Sequence, residues 1–350
     1  INAGTGVASS LQNNTIKNIS WANSGAAAWS AIFINSGAVN IGTSTGNTIG
    51  DETTTGSLTI TGGANNTNVY GINITGSGTI NCQNNIIGSF TASNTVSTAA
   101  TNLYAIYKGA VAGTLNLNNN FIGSSSVSNS LNTTSTSSSN SQNIYGIYNA
   151  GTGNTTISGN TITSLRNGTT NTTGMAAGIY FSGGSGTNSI NANLINSIST
   201  ASGSSNASVR GIHISAGVAS YFNNIISLGG NTETVIYGIY ESGGASDNVA
   251  LYFNTVYIGG APTAGSNDSY ALFSNTSVDT RNFRNNIFNN ARSNSGATGK
   301  HYSAFFNATG GTITCDFNDY YSSGTGGVLG YYGADVTILP VVTGQDVNSK

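Results

Sequence analysis

Residues 156–162 read Thr-Ile-Ser-Gly-Asn-Thr-Ile, and the pattern of the last three residues recurs in a set of ten at nearly even intervals along the 350-residue chain. The pattern is an asparagine, any residue and then a bulky apolar residue. The asparagines are 30 to 40 residues apart and are Asn14, Asn47, Asn85, Asn120, Asn160, Asn193, Asn224, Asn254, Asn286 and Asn318. A repeat of this length predicts a solenoid, in which each coil buries its apolar face only by stacking on its neighbours.

A second marker, a small residue followed by an apolar one, precedes each asparagine; examples are Gly146-Ile147 and, later in the chain, Ala304-Phe305. Each coil is therefore predicted to hold two short strands, of the types 144–148 and 156–162. Alternation of period two places Ile147 inward and Tyr148 outward. No segment shows a sustained helical period. The sequence predicts an all-β fold, a parallel β-helix of about ten coils.

The repeated asparagine is predicted to mark the bend between strands, since asparagine tolerates left-handed backbone angles and can form a ladder of amides when coils stack. A structural role is therefore favoured over ligand binding. Cys82 and Cys315 each lie three residues before a repeat asparagine, in a column that is otherwise apolar. They are about seven coils apart, or roughly 34 Å, too far for a disulfide. We expect two buried free thiols.

Composition excludes several classes of protein. Charged residues make up 6% of the chain and the net charge is −2, so no basic field attracts nucleic acid or an anionic membrane. No run of 18 apolar residues is present, so membrane insertion is not expected. Only two prolines occur, which favours continuous sheets. The polar surface must come mainly from Ser, Thr, Asn and Gly.

Polar segments of variable length follow several asparagine triplets at the same point of the coil. They are residues 88–102, 123–142, 164–173 and 197–208. They are predicted to project from one side of the solenoid as tolerated surface insertions. A continuous binding face on that side is the alternative.

One acidic pair is a candidate site. Asp247 and Asp279 both lie seven residues before a repeat asparagine, so stacked coils would place their Cα atoms about 5 Å apart, with Arg281 nearby. Two close carboxylates could form a catalytic dyad or hold a Ca²⁺ ion. The alternative is a pair of solvated turn residues whose charge Arg281 offsets. The sequence offers no Ser-His-Asp arrangement and no phosphate-binding loop.

An aromatic column is the other candidate. The position after the second marker is aromatic in most coils, and its predicted members are Phe33, Tyr107, Tyr148, Tyr180, His213, Tyr240, Phe273 and Phe306. Stacked rings at strand spacing stabilise a sheet by cross-strand packing. They could also form a flat platform for sugar rings, with Tyr107, Tyr148, Tyr180, His213 and Tyr240 as the binding residues. The packing role is favoured.

The repeat over residues 10–325, a Gly-Ile-x-x strand followed by an Ile-x-x-Asn-x-Ile bend, resembles the right-handed parallel β-helix of secreted bacterial proteins. Residues 317–321 (Phe-Asn-Asp-Tyr-Tyr), 330–333 (Gly-Tyr-Tyr-Gly) and 343–349 are similar to the end of the β-helix region in large Bacteroidota surface proteins, the substrates of type IX secretion. The repeat predicts a β-helix over residues 1–325, and residues 326–350, which break the repeat, are predicted to cap its end. The resemblance implies further modules and a sorting domain beyond this chain, and a secreted or cell-surface location.

These observations favour a non-catalytic extracellular stalk with a structural or adhesive role. The alternatives are a carbohydrate-active enzyme with its site at Asp247, Asp279 and Arg281, or a glycan-binding module that uses the aromatic column. Expected partners are extracellular polysaccharide or other surface proteins, with end-to-end or lateral self-association. No cofactor is expected other than Ca²⁺ at the aspartate pair.

Overall fold

A computed structural model describes residues 1–4, 6–170, 173–184, 186–244 and 247–350. Across these residues every regular element is a β-strand, and the strands of successive coils pair in parallel and in register. The chain is a right-handed parallel β-helix, which confirms the predicted fold. No helix in this part of the chain is long and apolar enough to cross a membrane.

Each coil contributes strands, in chain order, to as many as four sheets that run along the helix axis. Among the described residues, sheet 1 consists of Ser9–Leu11, Val39–Ile41, Ile80–Gln83, Leu115–Asn118, Thr155–Ser158, Asn188–Asn191, Ala219–Phe222, Asn248–Tyr252, Thr280–Arg284 and Thr312–Asp316. Sheet 2 consists of Thr15–Ile16, Thr48–Gly50, Ile86–Gly88, Phe121–Ile122, Thr161–Ile162, Leu194–Asn196, Ile225–Leu228, Thr255–Ile258, Ile287–Asn290 and Asp319–Ser322.

The other two sheets complete the coil. Sheet 3 is confined to the first six coils and consists of Ile19–Ala22, Leu58–Gly62, Phe90–Asn94, Leu131–Ser135, Leu165–Asn167 and Ile198–Thr200. Sheet 4 consists of the parallel strands Trp29–Ile34, Thr67–Ile74, Thr101–Lys108, Asn143–Asn149, Met175–Ser182, Ser208–Ala216, Val235–Glu241, Ser269–Ser274, His301–Phe306 and Gly327–Tyr332, with the antiparallel strand Asp335–Val336 at its end.

The repeat asparagines lie at the bend between sheets 1 and 2 and form an unbroken ladder. In each step one oxygen accepts two hydrogen bonds: the backbone N–H and Nδ2 of Asn160 donate to Oδ1 of Asn193 at 3.0 and 2.9 Å. Asn160 Nδ2 also donates to the carbonyl oxygen of Leu117 at 2.9 Å. The same side-chain bond joins all ten asparagines at 2.8–3.0 Å. Asparagine fits because its short side chain carries both an acceptor and two donors, whereas an ionised aspartate has only acceptors.

The left-handed residue at this bend is the one before the ladder asparagine. The ladder asparagines themselves do not have positive φ angles, so this part of the prediction was wrong. We call the preceding residues with positive φ the corner residues; they are Asn13, Asn84, Asn119, Gly159, Ala192, Asn223, Phe253, Asn285 and Phe317. Asparagine and glycine are the residues that adopt this conformation most easily. The two phenylalanines at this position are therefore unusual.

The small residue of the second marker lies where sheet 4 bends. A Cβ atom at Gly146 would lie 2.7 Å from the carbonyl oxygen of Gly178 and 2.6 Å from Ile162 Cγ2. Strand pairing skips this position, passing from Tyr145 to Ile147. Because of the skip, residues three apart in sequence, such as Tyr145 and Tyr148, lie side by side on the outer surface, with ring centroids 5.1 Å apart.

The inward residues of all four sheets form one continuous apolar core along the helix axis. Most of its members are fully buried isoleucine, leucine, valine and phenylalanine side chains. Cys82 and Cys315 belong to this core and are both free, which confirms their predicted role. Burial raises the pKa of the Cys82 thiol to about 12, so the thiol stays protonated and unreactive at neutral pH.

Sheet 3 was not predicted. The segments 88–102, 123–142, 164–173 and 197–208 were predicted to be projecting surface insertions, but each contains a strand of sheet 3 whose first residue enters the core. These buried residues are Phe90, Leu131, Leu165 and Ile198. Each of these strands has one large apolar residue among small or polar residues. The regular apolar alternation that predicts a strand is therefore missing. The surface insertions are shorter than predicted and flank these strands.

The end of the chain closes the core. Gly327–Tyr332 continues sheet 4 in parallel, so the repeating architecture extends on this face beyond residue 325, the predicted boundary. Val341 and Val342 then pack against the core. Ser349 Oγ accepts the backbone N–H of Asn318 at 3.1 Å, the bond that another asparagine accepts in every earlier coil. A serine thus ends the ladder.

We expect Asn193→Asp to destabilise the protein by about 3–5 kcal/mol, because a buried carboxylate cannot donate to Asn224 Oδ1 or to the carbonyl oxygen of Ile157. Asn223→Asp is the matched control: Asn223 is an exposed corner residue, and aspartate tolerates its conformation. Denaturant unfolding of both variants checks this. Equal losses of stability in the two variants would contradict the assigned role of the ladder.

Candidate functional site

Asp247 and Asp279 occupy neighbouring coils but face different partners. Their backbones are in register, since the next residues, Asn248 and Thr280, are paired. Asp247 Oδ1 accepts the backbone N–H of Gly217 at 2.6 Å, and its Oδ2 accepts that of Gly244 at 2.5 Å. Asp279 is instead buried, with an ion pair to Arg281 Nε at 3.5 Å. The carboxylates therefore serve different local structures and are not joined by any hydrogen bond or shared partner.

The carboxylate that interacts electrostatically with Asp279 is that of Glu241. It lies on sheet 4, in register with Ser274 of the next coil, and its side chain points into the core. Ser274 Oγ donates to Glu241 Oε2 at 2.6 Å, and Arg281 Nη1 donates to Ser274 Oγ at 2.9 Å. Glu241, Ser274, Asp279 and Arg281 thus form a polar cluster inside the solenoid, which we call the interior cluster.

Arg281 holds this cluster to the backbone of the next coil. Its guanidinium donates to the carbonyl oxygen of Ala308 at 3.2 Å and to that of Gly310. Among the described residues the carboxylate of Asp279 has no hydrogen bond of ordinary geometry, so its ion pair with Arg281 Nε is the contact that compensates its charge. Two carboxyl groups and one guanidinium in an apolar interior are neutral only when the pair of acids retains one proton. Accordingly, burial raises the pKa of Glu241 to about 7 and also raises that of Asp279.

Sequence reasoning found Asp279 and Arg281 but missed Glu241. A usable signal existed: Glu241 lies two residues after the second-marker residue Ile239, a position that is inward in neighbouring coils, where it is Ile214 or Ser274. An acid at an inward position predicts an internal partner. For Ca²⁺, the described residues contain no group of three or more His, Cys, Asp or Glu side chains that could hold a metal ion.

The aromatic column is present on the outer face of sheet 4, and His213 belongs to it. Tyr107, Tyr148, Tyr180, His213 and Tyr240 lie in register on successive strands. In the strand His301–Phe306 the column residue is Phe305; Phe306, which was predicted for this position, is a buried core residue. The second marker was placed one residue too late in this strand. Ala304 occupies the inward position, which pairs with Leu272, and Ser303 is the small residue that the pairing skips.

A second column, which sequence reasoning missed, runs beside the first. Its rings lie three residues earlier in each strand and are Tyr70, Tyr104, Tyr145, Tyr237, Tyr270 and Tyr302, with Arg210 and Ala177 at the intervening coils. Tyr104 and Tyr145 stack at 4.9 Å with 13° between ring planes, whereas Tyr145 and Tyr148 meet edge to face. Aromatic pairs prefer these two geometries.

The stacking of the rings determines which parts of the two columns are exposed to solvent. Tyr148 and Tyr180 have centroids 4.5 Å apart and nearly parallel planes, at 2°, and Tyr107 stacks on the other face of Tyr148 at 5.3 Å. The faces of the inner rings are therefore covered by neighbouring rings, and mainly their edges and hydroxyl groups remain accessible. Sugar rings pack on aromatic faces, so this geometry suits the packing role better than a sugar platform.

His213 and Arg210 interrupt the rings in the same coil. Arg210 lies over the Tyr240 ring, 4.1 Å from its centroid, and its Nη1 lies 2.9 Å from Nδ1 and 3.2 Å from Nε2 of His213. Burial, aided by the charge of Arg210, lowers the pKa of His213 to about 2. The imidazole therefore stays neutral at physiological pH and accepts a hydrogen bond from arginine. A neighbouring arginine at this distance and the lowered pKa both disfavour His213 as a general base.

Two surface depressions lie beside these elements. One, of about 460 Å³, lies on the outer face of sheet 1 and is lined by Asn188, Ser220, Ala250, Tyr252, Asn282 and neighbouring residues. The other, of about 570 Å³, lies beside sheet 2 and is lined mainly by Ser and Thr. Among the residues that the structure describes, neither depression is lined by Asp, Glu, His, Lys, Arg or Cys. Acid–base catalysis needs titratable groups in reach of the substrate, and these depressions supply none of those six types.

Comparison of the chain with protein-family models, with curated proteins and with solved structures found no match. The case for a function therefore comes from the geometry described above.

The interior cluster predicts a pH dependence of stability. Because the pKa of Glu241 is raised from 4.5 to about 7 in the folded protein, the folded state binds more protons than the unfolded state between these values. The free energy of unfolding should therefore fall as pH rises from about 4.5 to 7, by on the order of 2 kcal/mol. Glu241→Gln should remove most of this slope. Denaturant titrations at several pH values measure it, and a variant with the wild-type slope would contradict the assignment.

Proposed function

We propose that the protein is a non-catalytic β-helix stalk, a rigid spacer of an extracellular or cell-surface protein. The observation that carries the proposal is the continuity of the ladder and the core through ten coils. Nine consecutive asparagine pairs are bonded, and one apolar core runs beside them. Because each coil is bonded to the next, the column resists bending and extension.

The location of the titratable groups supports the same proposal. Glu241, Asp279 and Arg281 point into the core, where a polymeric substrate has no access. Asp247 is held by two backbone N–H groups. A carbohydrate-active enzyme at Asp247, Asp279 and Arg281 would need these groups to converge on an open groove. Their geometry therefore favours a stalk over an enzyme.

The surface composition fits an extracellular spacer. Only 6% of the residues are charged, and the outer face of sheet 1 presents chiefly hydroxyl and amide groups. Such groups form ladders of their own: Asn116 Nδ2 donates to Asn81 Oδ1 at 2.7 Å, and Asn81 Nδ2 donates to Asn40 Oδ1 at 2.8 Å, on the outer face of sheet 1. These bonds add polar contacts between coils outside the core. A secreted or cell-surface location and binding to other surface components are parts of this proposal.

The spacer role is tested by a distance between spin labels at Asn40→Cys and Thr314→Cys, because Cys82 and Cys315 are buried. Residues 40 and 314 lie in one outward column of sheet 1, eight strand spacings apart, or about 38 Å. We expect one narrow distance distribution near this value. A broad distribution would contradict a rigid stalk.

The absence of catalysis is tested separately. The protein is incubated with a panel of neutral and acidic polysaccharides, and new reducing ends and unsaturated products are measured. We expect neither. Depolymerisation by the wild type that is lost in both Asp279→Asn and Glu241→Gln, with folding intact, would replace the stalk with an enzyme.

A further inference from the structure

The outer face of sheet 2 carries a row of exposed apolar side chains in the last five coils. Its members occupy three adjacent positions: the corner residue, and the first and third residues after the ladder asparagine. They are Leu194, Ile225, Phe253, Tyr257, Ile287, Phe317 and Tyr321, with exposures between 38% and 59%. We call this set the apolar strip. Residues at these three positions in the last five coils include one charged side chain, Asp319, which lies at the end of the strip in the last coil.

The two phenylalanines are the informative members of the strip. Phe253 and Phe317 have φ angles of 56° and 57°, and their side chains are 59% and 53% exposed. A bulky residue in the left-handed region costs on the order of 1–3 kcal/mol, and the structure must compensate for it elsewhere. Asn223 and Asn285 fill the same position in the neighbouring coils without this cost. A stalk alone gives no reason for an exposed and strained phenylalanine, so these residues point to a contact.

The size and shape of the strip indicate what that contact is. Four aromatic side chains that expose about half of their 150–250 Å², together with three aliphatic ones, present on the order of 600 Å² of apolar surface. The largest patch on a typical monomer is about 300–600 Å², and a stable dimer buries about 800 Å² on each partner. Beside the strip, a depression of about 420 Å³ is lined by Asn285, Ile287, Phe317 and Asp319. The same face therefore offers both projecting rings and a depression to receive them.

We propose that the apolar strip is a lateral interface between two copies of this chain, in which each copy places its phenylalanines against the strip of the other. A two-fold contact uses the same patch on both partners, so a face that carries both projections and a depression is suited to it. Aromatic enrichment and the lack of charge in the centre are also typical of interface cores. This pairing goes beyond the proposed stalk and does not depend on it.

The test measures the mass of the protein in solution by sedimentation velocity over a wide range of concentration. The wild type is expected to be a dimer. The double variant Phe253→Asn with Phe317→Asn is expected to be a monomer, with dimerisation weakened at least about tenfold for each substitution. Because asparagine suits the corner, its thermal unfolding midpoint should equal or exceed that of the wild type. This combination of lost association and retained stability would not follow from a general defect in folding.

The matched control is Phe33→Asn with Val278→Asn, which removes two apolar side chains of similar exposure, 43% and 57%, away from the strip. The control is expected to dimerise as the wild type does. A wild type that is monomeric at every concentration, or a dimer that the control disrupts as strongly as the double variant, would overturn the proposal. A monomeric wild type whose migration in native gels is retarded by a neutral polysaccharide, through Phe253 and Phe317, would assign the strip to a glycan instead.

Discussion

The bond between one asparagine side chain and the next is the interaction on which this structure depends. Each ladder oxygen accepts a backbone N–H and a side-chain N–H from the preceding coil, so that it fixes the backbone and the side chain of that coil together. The parallel strands of successive coils are not joined by tight hairpins that would set their register. The ladder supplies that register at one corner of every coil, and the strands on either side then stack isoleucine on isoleucine. The ladder thereby sets the register between strands that are far apart in sequence, as tight turns do in an antiparallel sheet.

The fold could be predicted because the ladder has a sequence signature. Ten asparagines at similar intervals, each followed two residues later by an apolar residue, predict stacking whatever the sequence between them. Sheet 3 could not be predicted in the same way. Its strands contribute few large apolar residues, such as Phe90 and Leu131, within polar segments of varying length. A single apolar residue gives no periodic pattern from which a strand could be predicted. That it points inward is evident only from its pairing with an apolar residue of the next coil, as Phe90 pairs in register with Leu131.

The candidate sites show what the spacing of residues along the sequence does not predict in a solenoid. The spacing of Asp247 and Asp279 predicted neighbouring backbones correctly, but spacing carries no information about whether a side chain points inward. Asp279, which immediately precedes a strand of sheet 1, turns into the core and joins Glu241, which lies 38 residues earlier in sequence on sheet 4. The aromatic column was predicted well because its members share one position in the repeat. Its partner column was missed because the skip at residues such as Gly146 brings residues three apart onto one surface.

The ladder is tested most directly by hydrogen–deuterium exchange of its backbone amides in the middle coils. The N–H of Asn193 lies outside any strand, and its acceptor is Oδ1 of Asn224 at 3.1 Å. We predict that this amide exchanges as slowly as those of the adjacent strands, and that Asn224→Ala makes the Asn193 amide exchange faster while the strands two or more coils away stay protected. Rapid exchange of Asn160, Asn193 and Asn224 in the wild type, at the rate of the exposed insertions, would contradict the role of the ladder.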